Sequence, residues 1–242
     1  MAKAPRPGLV KTRLCPPLHP AQAAELSAAF LRDIIENIAL AARAAPIRGC
    51  IAYAPAGAEA WFAGHLVHGT ELVLADGSPP MPPDVQGFGR CLLHAAQAML
   101  GSGFGAACLV NSDSPTLPTA VLARAAHDLL APGDRVVLGP ADDGGYYLLG
   151  MKQPLAHLFA DIAWSTSEVA AATRARAVKL GLDVITLPTW YDVDDAASLT
   201  RLLAEAGGDA PQPADQQPYA APATMECIGR IGLRGSVSIA AQ

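Results

Sequence analysis

The chain alternates short apolar runs with longer stretches in which apolar residues recur at helical spacing. The short runs predict β-strands at 49–53, 71–74, 106–110, 135–138, 146–151 and 184–187. The longer stretches predict helices at 21–45, 58–65, 88–100, 118–130, 165–180 and 196–206. In the first helix, for example, Leu26, Phe30 and Ile34 fall four residues apart and define one apolar face.

The order of these elements indicates the fold class. Strands and helices alternate, and the strands are continuous apolar runs, which is typical of strands covered on both faces. We therefore predict an α/β fold with three layers: a mostly parallel sheet with helices on both of its faces. In such folds ligands bind beyond the carboxyl ends of the strands, so the residues that follow each strand carry the functional information.

Local signals predict where two of the helices start. Ser165 or Thr166 would cap the helix that reaches residue 180, and Ser165 and Glu168 have the three-residue spacing of a capping box. Asp195 precedes the last predicted helix and would cap it. Both predictions rest on polar side chains that meet the free N–H groups of a first helical turn.

The two ends of the chain differ from its middle. A basic loop rich in Pro and Gly fills much of residues 1–20, and only Met1–Ala4 could belong to a strand before it. The first strand is therefore predicted to be truncated or missing. After Gly207 the composition shifts to Gln, Pro, Asp and Ala, which favours a linker. We predict one domain at 1–206 and a linker and tail of unknown role at 207–242.

Composition and charge exclude several classes of protein. Of 242 residues, 51% are hydrophobic and 16% are charged, so the chain can bury a core and is not disordered. The net charge is −5 and no basic block occurs, which argues against nucleic acid as a partner. No apolar run reaches the roughly 18 residues of a membrane span. Five separated cysteines without a Cys-x-x-Cys pair favour a reduced, cytoplasmic protein.

Two polar motifs in the first half of the chain have residue types suited to phosphates and metals. Lys11 and Arg13 follow Gly8 in the opening loop and could bind a diphosphate, although a solvated basic loop is the alternative. This loop lacks the spacing of a P-loop, so that mechanism is excluded. Asp113 follows a buried strand and suits Mg²⁺, with an Asx turn or a helix cap as the alternative.

Two acidic motifs follow later strands. The turn at Asp143–Gly145 contains two glycines that permit close approach to a ligand, but it could equally be a plain hairpin turn. Asp192 and Asp194 point the same way in an extended segment and could hold a divalent cation. Helix capping is the alternative for these acids, although Asp195 alone would satisfy the following helix.

Six segments, taken together, resemble one protein family. They are KAPRPGLVKTRL at 3–14, QGFGR at 86–90, SDSP at 112–115, GPADDGGYYLLG at 139–150, AWST at 163–166 and DVD at 192–194. In this order the series is similar to the DUF2064 family of bacterial glycosyltransferase-like proteins, over about residues 1–206. The resemblance implies the nucleotide-diphospho-sugar transferase (GT-A) fold.

The resemblance also implies a nucleotide or nucleotide-sugar donor. Lys11 and Arg13 would contact its phosphates and act in catalysis as fixed positive charges, in a binding loop that includes Gly8. The other predicted contacts to the donor or acceptor are Ser112, Gly144 and Gly145.

A divalent cation, Mg²⁺ or Mn²⁺, is the cofactor that the resemblance implies. It assigns Asp113 as one ligand and Asp194, with Asp192, as the second contact. The cation would neutralise the charge that grows on the leaving group. Asp143 would serve as the general base for a hydroxyl acceptor.

These assignments predict a metal-dependent transferase that uses a nucleotide-activated donor. The first hypothesis is a glycosyltransferase that moves a sugar from a nucleoside diphosphate sugar to a small acceptor. A nucleotidylyltransferase that attacks the α-phosphate and releases pyrophosphate is the alternative. A non-catalytic nucleotide-binding relic is a third hypothesis. The sequence does not identify the nucleobase or the sugar of the donor, the acceptor, or the oligomeric state.

Overall fold

A computed structural model describes residues 1–65, 69–207 and 216–233, and the predicted tail at 207–242 falls partly outside them. The strands are β1 (Ala2–Lys3), β2 (Cys50–Ala54), β3 (Glu71–Leu74), β4 (Ala107–Val110), β5 (Arg135–Pro140), β6 (Tyr146–Met151) and β7 (Asp183–Thr186). The helices are α1 (Pro20–Ala41), α2 (Glu59–Ala63), α3 (Phe88–Gly101), α4 (Thr119–Leu130), α5 (Val169–Lys179), α6 (Ala196–Gly207) and α7 (Pro222–Arg230). None of the helices formed by the described residues has the length and apolar character needed to cross a membrane.

The strands form two sheets that meet near the amino terminus. The first sheet contains β1, β2 and β3, all parallel. The second contains β4, β6, β5 and β7 in that order, with β6 antiparallel to β4 and β5. Since β5 and β7 are parallel, the carboxyl ends of β4, β5 and β7 lie at one edge. The predicted α/β class with mostly parallel strands is confirmed, but the strands are divided between two sheets rather than one.

The two sheets come together beside the short strand β1. Only Ala2 and Lys3 pair with β2, in agreement with the expectation that only Met1–Ala4 could belong to a first strand. The Met1 ammonium donates a hydrogen bond of 2.7 Å to the Val110 carbonyl of β4, and the two sheets connect there. Burial lowers the pKa of this ammonium to about 6. The neighbouring edges of β2 and β4 line an apolar cleft of about 210 Å³.

Successive residues of the central strands point to opposite faces of the second sheet, as the pleat requires. Leu109 packs in one core cluster and Val110 in the other, and Val136 and Val137 divide in the same way. The face that carries Val110 is covered by α1, α4, α6 and α7, and the opposite face by α3 and α5. The prediction of helices on both faces is therefore confirmed.

The start of α5 differs from the prediction. Glu168 is its N-cap and no side chain caps it, so the predicted capping box of Ser165 and Glu168 is wrong. Ser165 has a positive φ of 65° and belongs to the turn before the helix. The first turn of α5 is bonded to a distant carbonyl instead, because the Ala170 N–H donates to Gly144 at 2.9 Å.

One helix, α7, lies in the stretch predicted as linker and tail. It packs against α1, and its residues Cys227 and Ile228 are buried in the core. Asp33 of α1 is also buried and accepts hydrogen bonds from the N–H groups of Ala223 (3.0 Å) and Thr224 (2.7 Å). A carboxylate of one helix therefore caps the first turn of another. The division of the chain at residue 206 stays a prediction.

Removal of the Asp33 carboxylate tests this packing. Asp33→Ala should lower the free energy of unfolding by about 2 kcal/mol, because one buried and one partly buried N–H group lose their acceptor. Urea denaturation followed by circular dichroism measures the change. The matched control is Glu25→Gln, which removes an exposed 3.3 Å pair with Arg230 between the same helices and should cost about 0.5 kcal/mol or less. Equal losses in the two variants would contradict a capping role for Asp33.

Candidate active site

Four polar segments meet at the edge where β4, β5 and β7 end. They are the loop after β1 at 4–14, the turn after β4 at 111–115, the turn between β5 and β6 at 141–145 and the segment before α6 at 187–195. The Val193 N–H donates a hydrogen bond of 2.8 Å to the Asp113 carbonyl, which joins the second segment to the fourth. The fourth segment also starts α6, because Asp195 accepts a 2.9 Å hydrogen bond from the Ser198 N–H and caps the helix as predicted.

The ammonium of Lys11 lies between two carboxylates. Its Nζ is 2.6 Å from Asp194 Oδ1 and 2.9 Å from Asp113 Oδ1, and the Lys11 side chain is only 6% exposed. We call these two ion pairs the Lys11 bridge. Arg13 adds a contact of 2.8 Å to the other oxygen of Asp194. The opening loop, the turn after β4 and the segment before α6 are thus held together by charge-assisted hydrogen bonds.

The backbone of Lys11 has the left-handed conformation, with φ 50° and ψ 38°. Residues other than glycine adopt this conformation infrequently, and it is found where surrounding contacts enforce it, often at functional sites. Lys11 directly precedes a 3-10 turn, Thr12–Leu14, whose Leu14 side chain is fully buried. This anchor and the bridge together hold the unusual backbone in place.

The charged groups of the Lys11 bridge shift one another's pKa values. Burial lowers the pKa of Lys11, but the negative charges of Asp113 and Asp194 outweigh it and raise this pKa above its ordinary value. Burial likewise opposes ionisation of Asp194, yet Lys11 and Arg13 hold the pKa of this carboxyl below its usual range. Lys11 and Asp194 are therefore both charged at neutral pH.

Asp192 lies beside the bridge without an ion pair of its own among the described residues. Burial raises its pKa, and the negative charges of Asp194 and Asp143 add to this effect, so the pKa reaches about 7. Asp192 and Asp194 are two residues apart, but their pKa values move in opposite directions. The difference arises because Lys11 and Arg13 form ion pairs with Asp194 and not with Asp192.

The carboxylates of the site suit a divalent cation that takes its other ligands from water and phosphate. Within residues 1–65, 69–207 and 216–233, no three His, Cys, Asp or Glu side chains converge closely enough to hold a metal ion by themselves. Asp113 and Asp194, however, face one common cation position, which Lys11 takes. Mg²⁺ commonly uses one or two carboxylates and obtains its other oxygens from water and phosphate. The pair therefore suits Mg²⁺ or Mn²⁺ that arrives with a phosphate, and the assignment of Asp113, Asp192 and Asp194 as metal ligands stays a prediction.

A cleft of about 340 Å³ opens beside the bridge, and several predicted site residues lie along it. Asp143 lines this cleft, and its carboxylate accepts a hydrogen bond of 2.8 Å from the Gly145 N–H. Gly144 has a φ of +90° and packs so closely on Ser167 that a Cβ atom would overlap the Ser167 carbonyl. Gly144 therefore allows the turn to pack closely against the residues that precede α5.

Ser112 and Gly8 differ in how they relate to the bridge. Ser112 Oγ donates a hydrogen bond of 3.3 Å to Asp113 Oδ1, so it lies at the bridge. Gly8 has a φ of +76° in the exposed part of the opening loop, with open space around its Cα atom. The structure brings Ser112 to the predicted site, whereas the contribution of Gly8 is to let the loop turn.

A second cation at the cleft, Arg201 of α6, was not found from the sequence. Its guanidinium lies 2.5 Å from Asp142 Oδ2 and stacks 3.8 Å above the Tyr191 ring. The Tyr191 hydroxyl in turn donates a hydrogen bond to Glu205. No local signal marks Arg201, because its partner Asp142 lies 59 residues earlier in the chain.

The fold and this strand-edge site define the class of protein to which the chain is similar. A crystal structure from Desulfovibrio desulfuricans G20, provisionally named a nucleotide-diphospho-sugar transferase, matches with a TM-score of 0.73 and 26% sequence identity. The match covers 96% of this chain and 95% of that one. The predicted nucleotide-diphospho-sugar transferase-like (GT-A-like) fold is thereby confirmed.

The chain belongs to the family described as "Uncharacterized protein conserved in bacteria (DUF2064)", whose sequence profile matches residues 37–166. This finding confirms the resemblance predicted from the six segments. The matched range contains Asp113 and Asp143, whereas Lys11 and Asp194 lie on either side of it. No curated protein matches the sequence.

A methyl group at Gly144 tests the packing of the cleft turn. Gly144→Ala should lower the free energy of unfolding by more than about 3 kcal/mol, because the added carbon overlaps the Ser167 carbonyl at a positive φ. Gly103→Ala is the matched control, since φ is +92° but the surrounding space is open, and it should lower the free energy of unfolding by only about 1 kcal/mol. Urea unfolding measures both variants. Similar losses of stability in the two variants would show that the positive φ alone, and not the overlap with Ser167, determines the effect.

Asp192 should make the stability of the chain depend on pH. Its pKa is raised from 3.8 to about 7 on folding, so the stability falls as the pH rises across that interval. In a buffer with chelator, Asp192→Asn should therefore raise the free energy of unfolding at about pH 8 and leave it nearly unchanged at about pH 4. Urea unfolding at the two pH values measures this difference. A gain of equal size at both would contradict the raised pKa.

Proposed function

We propose that this chain is a metal-dependent transferase that uses a nucleotide-activated donor. More narrowly, we propose a glycosyltransferase that moves a sugar from a nucleoside diphosphate sugar to a small acceptor. The observation that carries the proposal is the Lys11 bridge, in which two carboxylates face one cation position beside an open polar cleft. The likeness to the Desulfovibrio structure, over nearly the whole of both chains, supports the transferase class.

The charge balance of the site favours an anionic ligand that brings a cation with it. Asp142 and Arg201 neutralise each other, and the remaining carboxylates at the bridge and cleft outnumber the remaining cations. The raised pKa of Asp192 is a direct effect of this negative surplus together with burial. A diphosphate alone would meet repulsion here, whereas a diphosphate with a divalent cation would balance the charge.

The bridge residues have separate roles in this proposal. Asp113 and Asp194, with Asp192 beside them, would hold Mg²⁺ or Mn²⁺. When bound, the cation supplies Lewis-acid stabilisation of the negative charge that grows on the leaving diphosphate. Lys11 binds the phosphates as a point charge and Arg13 as a planar fork, so the two orient the donor in complementary ways.

Asp143 is the proposed general base. Its carboxylate lines the cleft, makes no ion pair among the described residues and is oriented by the Gly145 N–H. An acceptor hydroxyl in the cleft would therefore meet a free carboxylate that can take its proton. Gly144 keeps this turn in position through its contact with Ser167.

Loss of either bridge carboxylate should reduce turnover. Asp113→Asn and Asp194→Asn should each lower the rate with nucleoside diphosphate sugars and Mn²⁺ by about 100-fold or more, because both the cation and Lys11 lose an anionic partner. The assay incubates the protein with a panel of such donors and separates nucleoside diphosphate from pyrophosphate by chromatography. The matched control is Asp128→Asn, which removes an exposed 3.3 Å pair with Arg124 away from the cleft and should leave the rate unchanged.

The released product distinguishes the candidate functions. Nucleoside diphosphate in a metal-dependent reaction supports glycosyl transfer. Pyrophosphate released from a nucleoside triphosphate would favour nucleotidylyl transfer and overturn the narrower proposal. Nucleotide binding that is the same in wild type and Asp113→Asn, without any turnover, would make the chain a non-catalytic nucleotide-binding protein.

A further inference from the structure

This inference rests on the proposed function and concerns the residue that takes the cation position. We propose that Lys11 is a gate for the divalent cation. Its ammonium holds Asp113 and Asp194 until the phosphates of the donor draw it away, so cation and donor bind together. Lys11 is then a positioning residue for the metal site as well as a phosphate ligand.

The two carboxylates are engaged by a single ammonium. The distances of 2.6 and 2.9 Å are those of charge-assisted hydrogen bonds. The side chains of Asp113 and Asp194 are 31% and 33% exposed, whereas that of Lys11 is 6% exposed. A cation from solvent can therefore reach the carboxylates, but it must compete with an ammonium already seated between them. Like charges repel, so a cation at the position between Asp113 Oδ1 and Asp194 Oδ1 competes directly with the ammonium of Lys11.

The proposed movement of Lys11 involves its side chain and not its loop. Its backbone is held by the buried Leu14, whose N–H donates a hydrogen bond of 3.0 Å to the Lys11 carbonyl. Its side chain is a flexible four-carbon stem, and the Phe30 ring has its centroid 5.8 Å from the ammonium. In the proposed exchange, rotation about the bonds of this stem carries the ammonium from the carboxylates to the phosphates while the backbone stays anchored.

The phosphates of a donor provide the alternative partner for the ammonium. Arg13 is 66% exposed at the same end of the cleft and marks the side from which an anion can approach. Transfer of the Lys11 ammonium from carboxylates to phosphates frees Asp113 and Asp194 for the cation that the phosphates carry. This exchange preserves the charge balance, whereas entry of the cation alone would leave it beside the ammonium.

Direct Mn²⁺ binding to the metal-free full chain, without nucleotide, tests the gate. Titrations in which the EPR signal reports free Mn²⁺ compare wild type with Lys11→Met. The variant should bind Mn²⁺ about tenfold more tightly or better, because a gate that is open less than a tenth of the time weakens the apparent affinity by that factor. A double variant, Lys11→Met with Asp113→Asn, should lose this gain and so place the bound Mn²⁺ at the bridge.

Arg13→Met is the matched control for the charge of the loop. Arg13 contacts one oxygen of Asp194 only and is largely exposed, so its removal should change the Mn²⁺ affinity by less than about threefold. A gain in Arg13→Met equal to that in Lys11→Met would overturn the gate, because loss of any positive charge would then suffice. Lys11→Gln, which is neutral but keeps a hydrogen-bond donor, serves as the second variant and should show the same direction of change.

The remaining outcomes separate the gate from the proposed function. Equal and measurable Mn²⁺ affinity in wild type, Lys11→Met and Lys11→Gln would overturn the gate and leave a metal-dependent transferase standing. Absence of Mn²⁺ binding in every variant, together with turnover that does not depend on metal, would overturn both.

Discussion

The ammonium of Lys11 joins two carboxylates that are widely separated from it in sequence. Asp194 lies 183 residues from Lys11, and Asp113 follows strand β4. The opening loop has little support from the sheet, because β1 contributes only two residues. Its position therefore depends on the buried Leu14 and on the Lys11 bridge. The same bridge ties the start of α6 to the end of β4, so the shape of the cleft depends on it as well.

Much of the candidate site could be predicted because strand order alone brings its segments together. Polar residues that follow strands of the same direction collect at one edge of a sheet, and Asp113, Asp143 and Asp194 all do so. Sequence spacing cannot show which carboxylate each cation selects, because that choice depends on side-chain distances below 3 Å. The bridge by Lys11 and the pairing of Arg201 with Asp142 are of this kind.

The parts of the fold that the sequence did not predict depend on contacts between distant residues. α7 has weak local signals, and its first turn is capped by Asp33, which lies about 190 residues earlier. The start of α5 is likewise bonded to the Gly144 carbonyl rather than to a side chain of its own segment. The division into two sheets was not predicted either, and β1, which has only two residues, leaves almost no periodic pattern in the sequence. The long apolar helices and strands, by contrast, carry their signal locally and were predicted.

Asp192 and Asp194 show that residue type and spacing are not enough to assign chemistry. Both are aspartates in one short segment, and both are partly buried beside the same cleft. Asp194 is ionised because Lys11 and Arg13 contact it, while Asp192 has a pKa of about 7 because burial and neighbouring acids oppose its charge. Any cation that enters the site would favour ionisation of Asp192, since it offsets the repulsion from Asp194 and Asp143. Two aspartates that look equivalent in the sequence therefore differ in the structure. Asp194 holds the opening loop, whereas the protonation of Asp192 can change when a cation binds.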